Sequence, residues 1–409
     1  MNNLKKIVIV GGGFGGIRAA LDLAKKQLPN VKIILISDKL HFEYHPSLYR
    51  VVTGRSPLEV CIPLREIFIG KNVEVLQDTI MEVNLKEKIL KGSSDSHYSF
   101  DFLVLALGSE TVYSNIPGLK EFSFGFKSIT EALLLKKHLH EIFSICEESA
   151  REERVPEAHI IIIGGGASGV ELAGELAIYA KKLAKNHKFD SSFITIDIIE
   201  AAPRLLPALP EDISKKAEHR LRHLGVNIFI NRTVVKEDIE KVYFKDMEMK
   251  TKTVIWTAGV KPHHLYSQIA ELTFDKKGRI SVDEFLQAQG LNNIFIIGDA
   301  AATPYAGMAQ TAIGDGQYVA EVIEQKLTVR PFLPHRPRAP FYVVPIGHGW
   351  TVAIIGNLRF YGRIGWWFRR LADFRFFLSI LSWRKAILAF QNGKALCESC
   401  PICLPENIN

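Results

Sequence analysis

Two sets of three glycines stand at one spacing: Gly11, Gly13 and Gly16, and farther along Gly164, Gly166 and Gly169. Each set follows an apolar run of a strand's length, Ile7–Val10 and Ile160–Ile163. A strand that turns through such a loop into a helix leaves the first amide groups of that helix free to face a pyrophosphate. One copy is a weak signal, and repetition makes it strong. A second pair of landmarks follows suit, because the apolar strands in FLVLALG and VIWTAG end on Gly108 and Gly259. Two copies of strand, glycine loop, helix and return strand predict two nucleotide-binding domains, and the expected ligands are two dinucleotides.

The elements that position these loops are legible in order. Phe14–Lys26 carries Ile17, Ala20, Leu21 and Ala24 at helical spacing, and Pro29 and Asn30 end it. Val31–Ile36 is the second strand. Such a strand usually ends on a carboxylate that holds a ribose hydroxyl pair, and Asp38 is the candidate; if Ser37 occupies the position instead, the ribose is held more weakly. In the second copy Phe193–Ile199 ends at Glu200, whose carboxylate would accept from both ribose hydroxyls and repel a 2′-phosphate. That predicts NADH over NADPH, a preference that nearby Arg204 could soften. Val170–Lys185 is a helix with Glu171 and Glu175 one turn apart, and Ile294–Asp299 is another buried strand ending in Gly298 and Asp299. Met308–Gln325 has helical periodicity, Ser128–Cys146 is a long amphipathic helix, and Val73–Leu90 with Tyr98–Gly108 reads as a meander of strands. The aromatic, histidine-rich stretch His41–Tyr49 lacks the partners of a metal site and is expected against a bound cofactor or in the core.

The chain has 409 residues, 47% of them hydrophobic, enough for two or three domains. Its net charge of +7 is local: between Arg359 and Lys394 stand six arginines and two lysines against one aspartate. This argues against a nucleic-acid-coating protein and for one basic, aromatic surface near the C-terminus. The apolar run after Lys5 and Lys6 is too short for a signal core, and no apolar stretch is long enough to span a bilayer. Cys61 and Cys146 are isolated, which suits a reducing compartment.

GGGFGG, LALGSE, GGGASGVELAGEL, TAGV, IFIIGDAA and AQTA, in this order, resemble the flavoproteins with two dinucleotide-binding domains. More narrowly, GVELAGEL, AQTA, the HFEYHPSLYRVVTG segment and the aromatic tail resemble type II NADH dehydrogenases, peripheral membrane enzymes that pass electrons from NADH through FAD to a quinone. The resemblance implies an α/β fold: two Rossmann-like domains in the glutathione-reductase-like flavoprotein arrangement, plus a C-terminal amphipathic helical module for membrane association. The FAD domain would comprise 1–115 and 280–330, the NADH domain 116–279 and the C-terminal region 331–409. Gly11, Gly13 and Gly16, with Phe14 and Gly15 between them, would cradle the FAD pyrophosphate, and Asp299 would bind a ribityl hydroxyl. Gly164, Gly166, Gly169 and Glu200 would hold NADH. Glu171 matches a glutamate near nicotinamide and flavin; read without the resemblance, it is an acid favoured by a helix N-terminus. Ala309 and Gln310 would lie beside the flavin ring at a helix start, where amide donors stabilise an anionic reduced flavin. Gly314 and Asp315 stand where family members commonly carry two glutamines at the quinone pocket, which puts the electron acceptor in doubt. No nucleophile or metal is required, because hydride passes directly between the two cofactors.

Trp367, Leu371, Phe374, Leu378 and Leu381 form one apolar stripe within Trp366–Trp383, and Arg369, Arg370 and Asp373 fall off it. A basic helix with aromatic flanks fits an interfacial anchor with its arginines on anionic headgroups; the alternative is a homodimer contact. Cys397, Cys400 and Cys403 have thiolate-ligand spacing without an adjacent fourth ligand, so a zinc or iron–sulfur site, redox-active thiols and a plain tail all remain open. The leading expectation is an FAD-dependent NADH:quinone oxidoreductase on the cytoplasmic face of the cell membrane. The alternatives are a sulfide:quinone oxidoreductase, an NADH-dependent reductase of a small electron-carrier protein, and a flavin-bearing NADH sensor.

Overall fold

The computed structural model describes residues 4–113, 115–148, 158–395 and 397. The chain divides into two compact units, one of 1–43, 61–110 and 260–340, the other of 44–60, 111–259 and 341–409. Residues 260–279 thus belong with the first glycine loop, whereas 44–60 and the C-terminal region belong with the second.

The first unit is built on a parallel five-stranded sheet in the order Ile294–Ile296, Phe102–Leu105, Lys5–Val10, Val31–Ser37, Glu74–Gln77. Its central strand is buried on both faces, as a run of isoleucine and valine requires in a parallel sheet. The helix Phe14–Lys25 follows the loop and buries Ile17, Ala20, Leu21 and Ala24, the face read from periodicity. It packs closely on the helix Ala309–Leu327, since a side chain at Gly316 would collide with the Gly15 carbonyl. The expected meander is real but smaller. Ile80–Asn84, Ile89–Gly92 and His97–Ser99 form it, while Glu74–Gln77 and Phe102–Leu105 belong to the main sheet.

The second unit repeats the plan in the order Phe124–Gly125, Thr253–Trp256, His159–Ile163, Thr195–Ile199, Val226–Phe229, again all parallel. The helix Ala167–Asn186 follows its glycine loop. The helix Ile129–Glu148 begins with a capping box, in which the Ser128 hydroxyl accepts from the Glu131 amide and Glu131 accepts from the Ser128 amide. Periodicity missed three short antiparallel strands, Tyr342–Pro345, Thr351–Ile355 and Leu358–Tyr361. The helix expected over Trp366–Trp383 runs Gly362–Ile380, breaks at an extended Leu381, and resumes as Trp383–Asn392.

The Gly362–Ile380 helix buries Phe377 and Ile380 but also an ion pair, and it exposes part of its apolar stripe. Trp367 and Leu371 are 69% and 63% exposed, whereas Arg370 and Asp373 are 7% and 2% exposed. The expectation that Arg369 and Arg370 face headgroups is therefore corrected: both point inward, where Asp373 and Glu59 compensate their charge.

Candidate functional site

In the first unit, the Gly11 amide donates to the Ile36 carbonyl at 2.8 Å, tying the loop to the second strand. Gly11 has φ +116°, and a Cβ there would strike the Ala106 carbonyl; one at Gly16 would strike the carbonyl of Gly11. Gly13 is different, because a Cβ there meets no protein atom within 4 Å. Gly13 caps the helix with no side-chain hydrogen bond and no acid in the first turn. A bare, positively polarised helix end beside open space is the donor set that a pyrophosphate needs, so the residues fit the group. Phe14 crosses Phe42 edge-on, with 4.9 Å between centroids, and Gly15 abuts Ile297 and Ala312.

Register orders the two candidates for the ribose position. Val10 pairs with Ile36, so Ser37, the last residue of its strand, follows the paired position and Asp38 lies one residue beyond, exposed. At the other edge Asp299 accepts from the Ser109 hydroxyl at 2.6 Å, next to Gly108 (φ +67°). Gly298 (φ +75°) donates its amide to Asp315 Oδ2 at 3.1 Å. Burial pushes the Asp315 carboxyl up to about 7, and His335 Nε2 lies 3.4 Å from its other oxygen. Asp315 therefore supports the Gly298–Asp299 turn from beneath. Ala309 and Gln310 open their helix behind Met308, again with no capping side chain and no acid in the first turn, and Gln310 is exposed.

The second unit reproduces the cradle. Gly164 (φ +117°) donates to the Ile199 carbonyl at 2.8 Å, a Cβ at Gly169 would strike the Gly164 carbonyl, and Gly166 faces open space. Ile163 pairs with Ile199, which puts Glu200 in the place that Ser37 takes in the first copy. Its two oxygens accept the Gly165 amide at 2.6 Å and the Ala202 amide at 2.7 Å, so the carboxylate is fixed at the mouth of the loop. Arg204 is committed to its own turn through the Leu206 and Pro207 carbonyls and the Ser214 hydroxyl. Gly259 (φ +95°) ends the return strand and accepts from the Val112 amide at 3.3 Å.

Farther along the same helix, Glu171 and Glu175 belong to a set of charges that sequence spacing did not assemble. Arg50 pairs with Glu59, Arg370 reaches Glu59 at 2.9 Å and Asp373 at 3.4 Å, and Arg369 lies 3.2 Å from Asp373. Tyr44 donates its hydroxyl to Asp373 at 2.7 Å, and Arg369 also donates to the Pro46 carbonyl. Burial, opposed by Arg369 and reinforced by Asp373 and Glu175, pushes the Glu171 carboxyl up to about 8. Glu175 is raised by burial, which Arg50 and Arg55 oppose. Burial alone would lower Arg369, but Asp373 and its neighbours raise it, so the guanidinium stays charged. The one signal in the sequence was the aromatic stretch His41–Tyr49: Tyr44 and Tyr49 are buried here, while His41 lies 3.4 Å from Glu43.

Of the tail cysteines, Cys397 is half-buried, donates its amide to the Gly54 carbonyl at 2.9 Å and accepts from Lys136; Cys400 and Cys403 lie outside the described residues.

The model of the pyridine nucleotide-disulphide oxidoreductase family matches residues 5–316. The chain is 30% identical to the type II NADH:quinone oxidoreductase Ndh of Mycobacterium tuberculosis, over 95% of this chain and 89% of that protein. It is 31% identical to the demethylphylloquinone reductase NdbB of Synechocystis, over 81% and 82% of the two chains. Its fold matches NDH2 of Plasmodium falciparum, solved in complex with NADH, with a TM-score of 0.85 at 21% identity over 96% and 98% of the chains. The chain belongs to the pyridine nucleotide-disulphide oxidoreductase family and, within it, groups with the type II NADH:quinone oxidoreductases.

Proposed function

We propose that the chain oxidises NADH through a bound FAD and delivers the electrons to a quinone at a membrane surface, without pumping protons. The observation that carries this reading is the pair of matched glycine cradles whose equivalent strand-end positions differ, Ser37 in the first and Glu200 in the second. A fixed carboxylate at the second ribose position favours NADH, and the first cradle is left for FAD. FAD supplies the two-electron chemistry that no side chain here provides. The residues contribute binding and proton control: Gly13 and Gly166 open the cradles, Ser109 orients Asp299, and the helix start at Ala309 and Gln310 offers amide dipoles to developing negative charge. Glu171, raised to about 8, holds a proton at neutral pH, and reduction of a quinone consumes protons.

The membrane reading rests on the outward face of the two C-terminal helices. Ile364, Trp367, Leu371, Leu378, Trp383 and Leu388 are exposed there, interspersed with exposed Arg363, Arg375 and Arg384. No helix among the described residues is long and apolar enough to cross a membrane. A shallow interfacial seat on anionic lipid suits that face, on the cytoplasmic side where NADH is available. Dimerisation through the same face is the competing use.

Gly314 and Asp315 favour a second reading, a reductase of a small electron-carrier protein, since Asp315 is committed to Gly298. Steady-state NADH oxidation with ubiquinone and menaquinone analogues, with and without anionic vesicles, separates the two. Turnover with a quinone that rises with vesicles is expected; turnover only with a protein acceptor overturns the proposal.

A further inference from the structure

Outside the cradles, one cluster of metal-ligating side chains among the described residues is unused by the proposed chemistry. Glu110, His263 and His264 bring a carboxylate oxygen and two imidazole nitrogens within 4.8 Å of one another. All three belong to the first unit: Glu110 stands where the chain leaves it, and the histidines follow soon after the chain re-enters at Val260. His264 Nδ1 and Glu110 Oε2 are 3.1 Å apart. Two nitrogens and one oxygen bound to a zinc-like cation at about 2.0–2.2 Å lie roughly 3.3–3.5 Å apart, so closing this set moves side chains by about an ångström.

We propose that Glu110, His263 and His264 form a surface site for a first-row divalent cation of the zinc or nickel class, with water completing its coordination. Imidazole and carboxylate donors suit such an ion, and the exposed His264 ring and half-buried Glu110 leave an open side for solvent. The His263 and His264 rings stack with centroids 4.3 Å apart, so a rotation of one side chain is needed for both ring nitrogens to meet one ion. The competing group is Lys261, whose ammonium lies 3.2 Å from Glu110 and must swing away; its side chain is 55% exposed and free to do so. His263 gives up only a long bond, 3.3 Å from the Leu265 amide. A bound cation would draw Glu110 toward the histidines, one residue from Ser109, which orients Asp299.

Titration of the holoenzyme with Zn2+ and with Ni2+ by calorimetry tests this. His264→Gln and Glu110→Gln should each weaken one site by at least about tenfold, since even outer-shell partners of a metal are worth 10–100-fold. Lys261→Gln should tighten that site by removing the competing cation. A variant with Cys397, Cys400 and Cys403 all changed to serine should keep it. The proposal is overturned if His264→Gln and Glu110→Gln bind both ions as the unaltered protein does, or if the serine variant alone abolishes binding. His264 is exposed and outside the core, so loss of fold does not confound its substitution.

Discussion

Replacement of Glu171 by glutamine has an effect on stability whose size and pH dependence follow from the charge cluster. The carboxyl rises from 4.5 to about 8 on folding, because burial, with repulsion from Asp373 and Glu175 added, outweighs the attraction of Arg369. The folded state therefore binds more protons than the unfolded chain between those two values, and stability falls as pH rises through that window. The penalty is absent below about 4.5 and complete above about 8. At about 1.4 kcal/mol per pH unit the full shift corresponds to roughly 5 kcal/mol; Glu171 is only partly buried, and screening reduces this to about 2–3 kcal/mol. Glutamine keeps the shape and never ionises. In a unit of roughly 200 residues, that difference raises the apparent melting midpoint by about 5–10 °C at pH 9 and by almost nothing at pH 5. Circular-dichroism melts of both proteins at the two pH values give the result as a difference of differences, in which any constant effect of the amide cancels. An equal midpoint difference at pH 5 and pH 9 would refute the assignment of a buried, proton-holding Glu171.

Other outcomes follow from the same geometry. Gly16→Val should destroy the first cradle, giving protein without flavin absorbance; Gly13→Ala meets no protein atom, so loss of flavin there with an intact melt reports the bound group itself. Glu200→Gln should narrow the preference for NADH over NADPH by about tenfold or more in kcat/KM, because the fixed carboxylate no longer repels a 2′-phosphate. Arg370→Met leaves Glu59 and Asp373 buried with one cation fewer and should destabilise the second unit by about 3–5 kcal/mol, seen as a lower urea midpoint. Trp367→Glu with Leu371→Glu should abolish sedimentation with anionic vesicles while leaving the flavin content unchanged; vesicle binding at the unaltered level would move the outward face to the dimer reading.

The features legible in the sequence are those that backbone sterics enforce locally. Gly11 and Gly164 sit at φ values that other residues rarely adopt, and Gly16 and Gly169 face a carbonyl that leaves no room for a Cβ. Those constraints fix residue type at fixed spacing, so both cradles could be read without tertiary information. The order of Asp38 and Ser37 relative to the loop could not be read, because a strand end is uncertain by a residue or two and only the pairing of Val10 with Ile36 fixes that order. The charge cluster was invisible for a different reason. Glu59 and Arg370 lie 311 positions apart, and periodicity finds an apolar stripe without saying which way it faces. On the Gly362–Ile380 helix Trp367, Leu371 and Leu378 of the stripe face out while Arg370 and Asp373 face in beside Phe377 and Ile380, a departure from the usual arrangement. Asp315 was likewise read as a place beside an acceptor, whereas its partner is the amide of Gly298.

Anaerobic stopped-flow absorbance of the purified holoenzyme tests the central claim most directly, with the flavin reduced by NADH and then mixed with menaquinone and ubiquinone analogues. The account predicts fast bleaching by NADH, slower bleaching by NADPH, and fast reoxidation by at least one quinone. Fast reduction followed by a reduced flavin that no quinone reoxidises would contradict it.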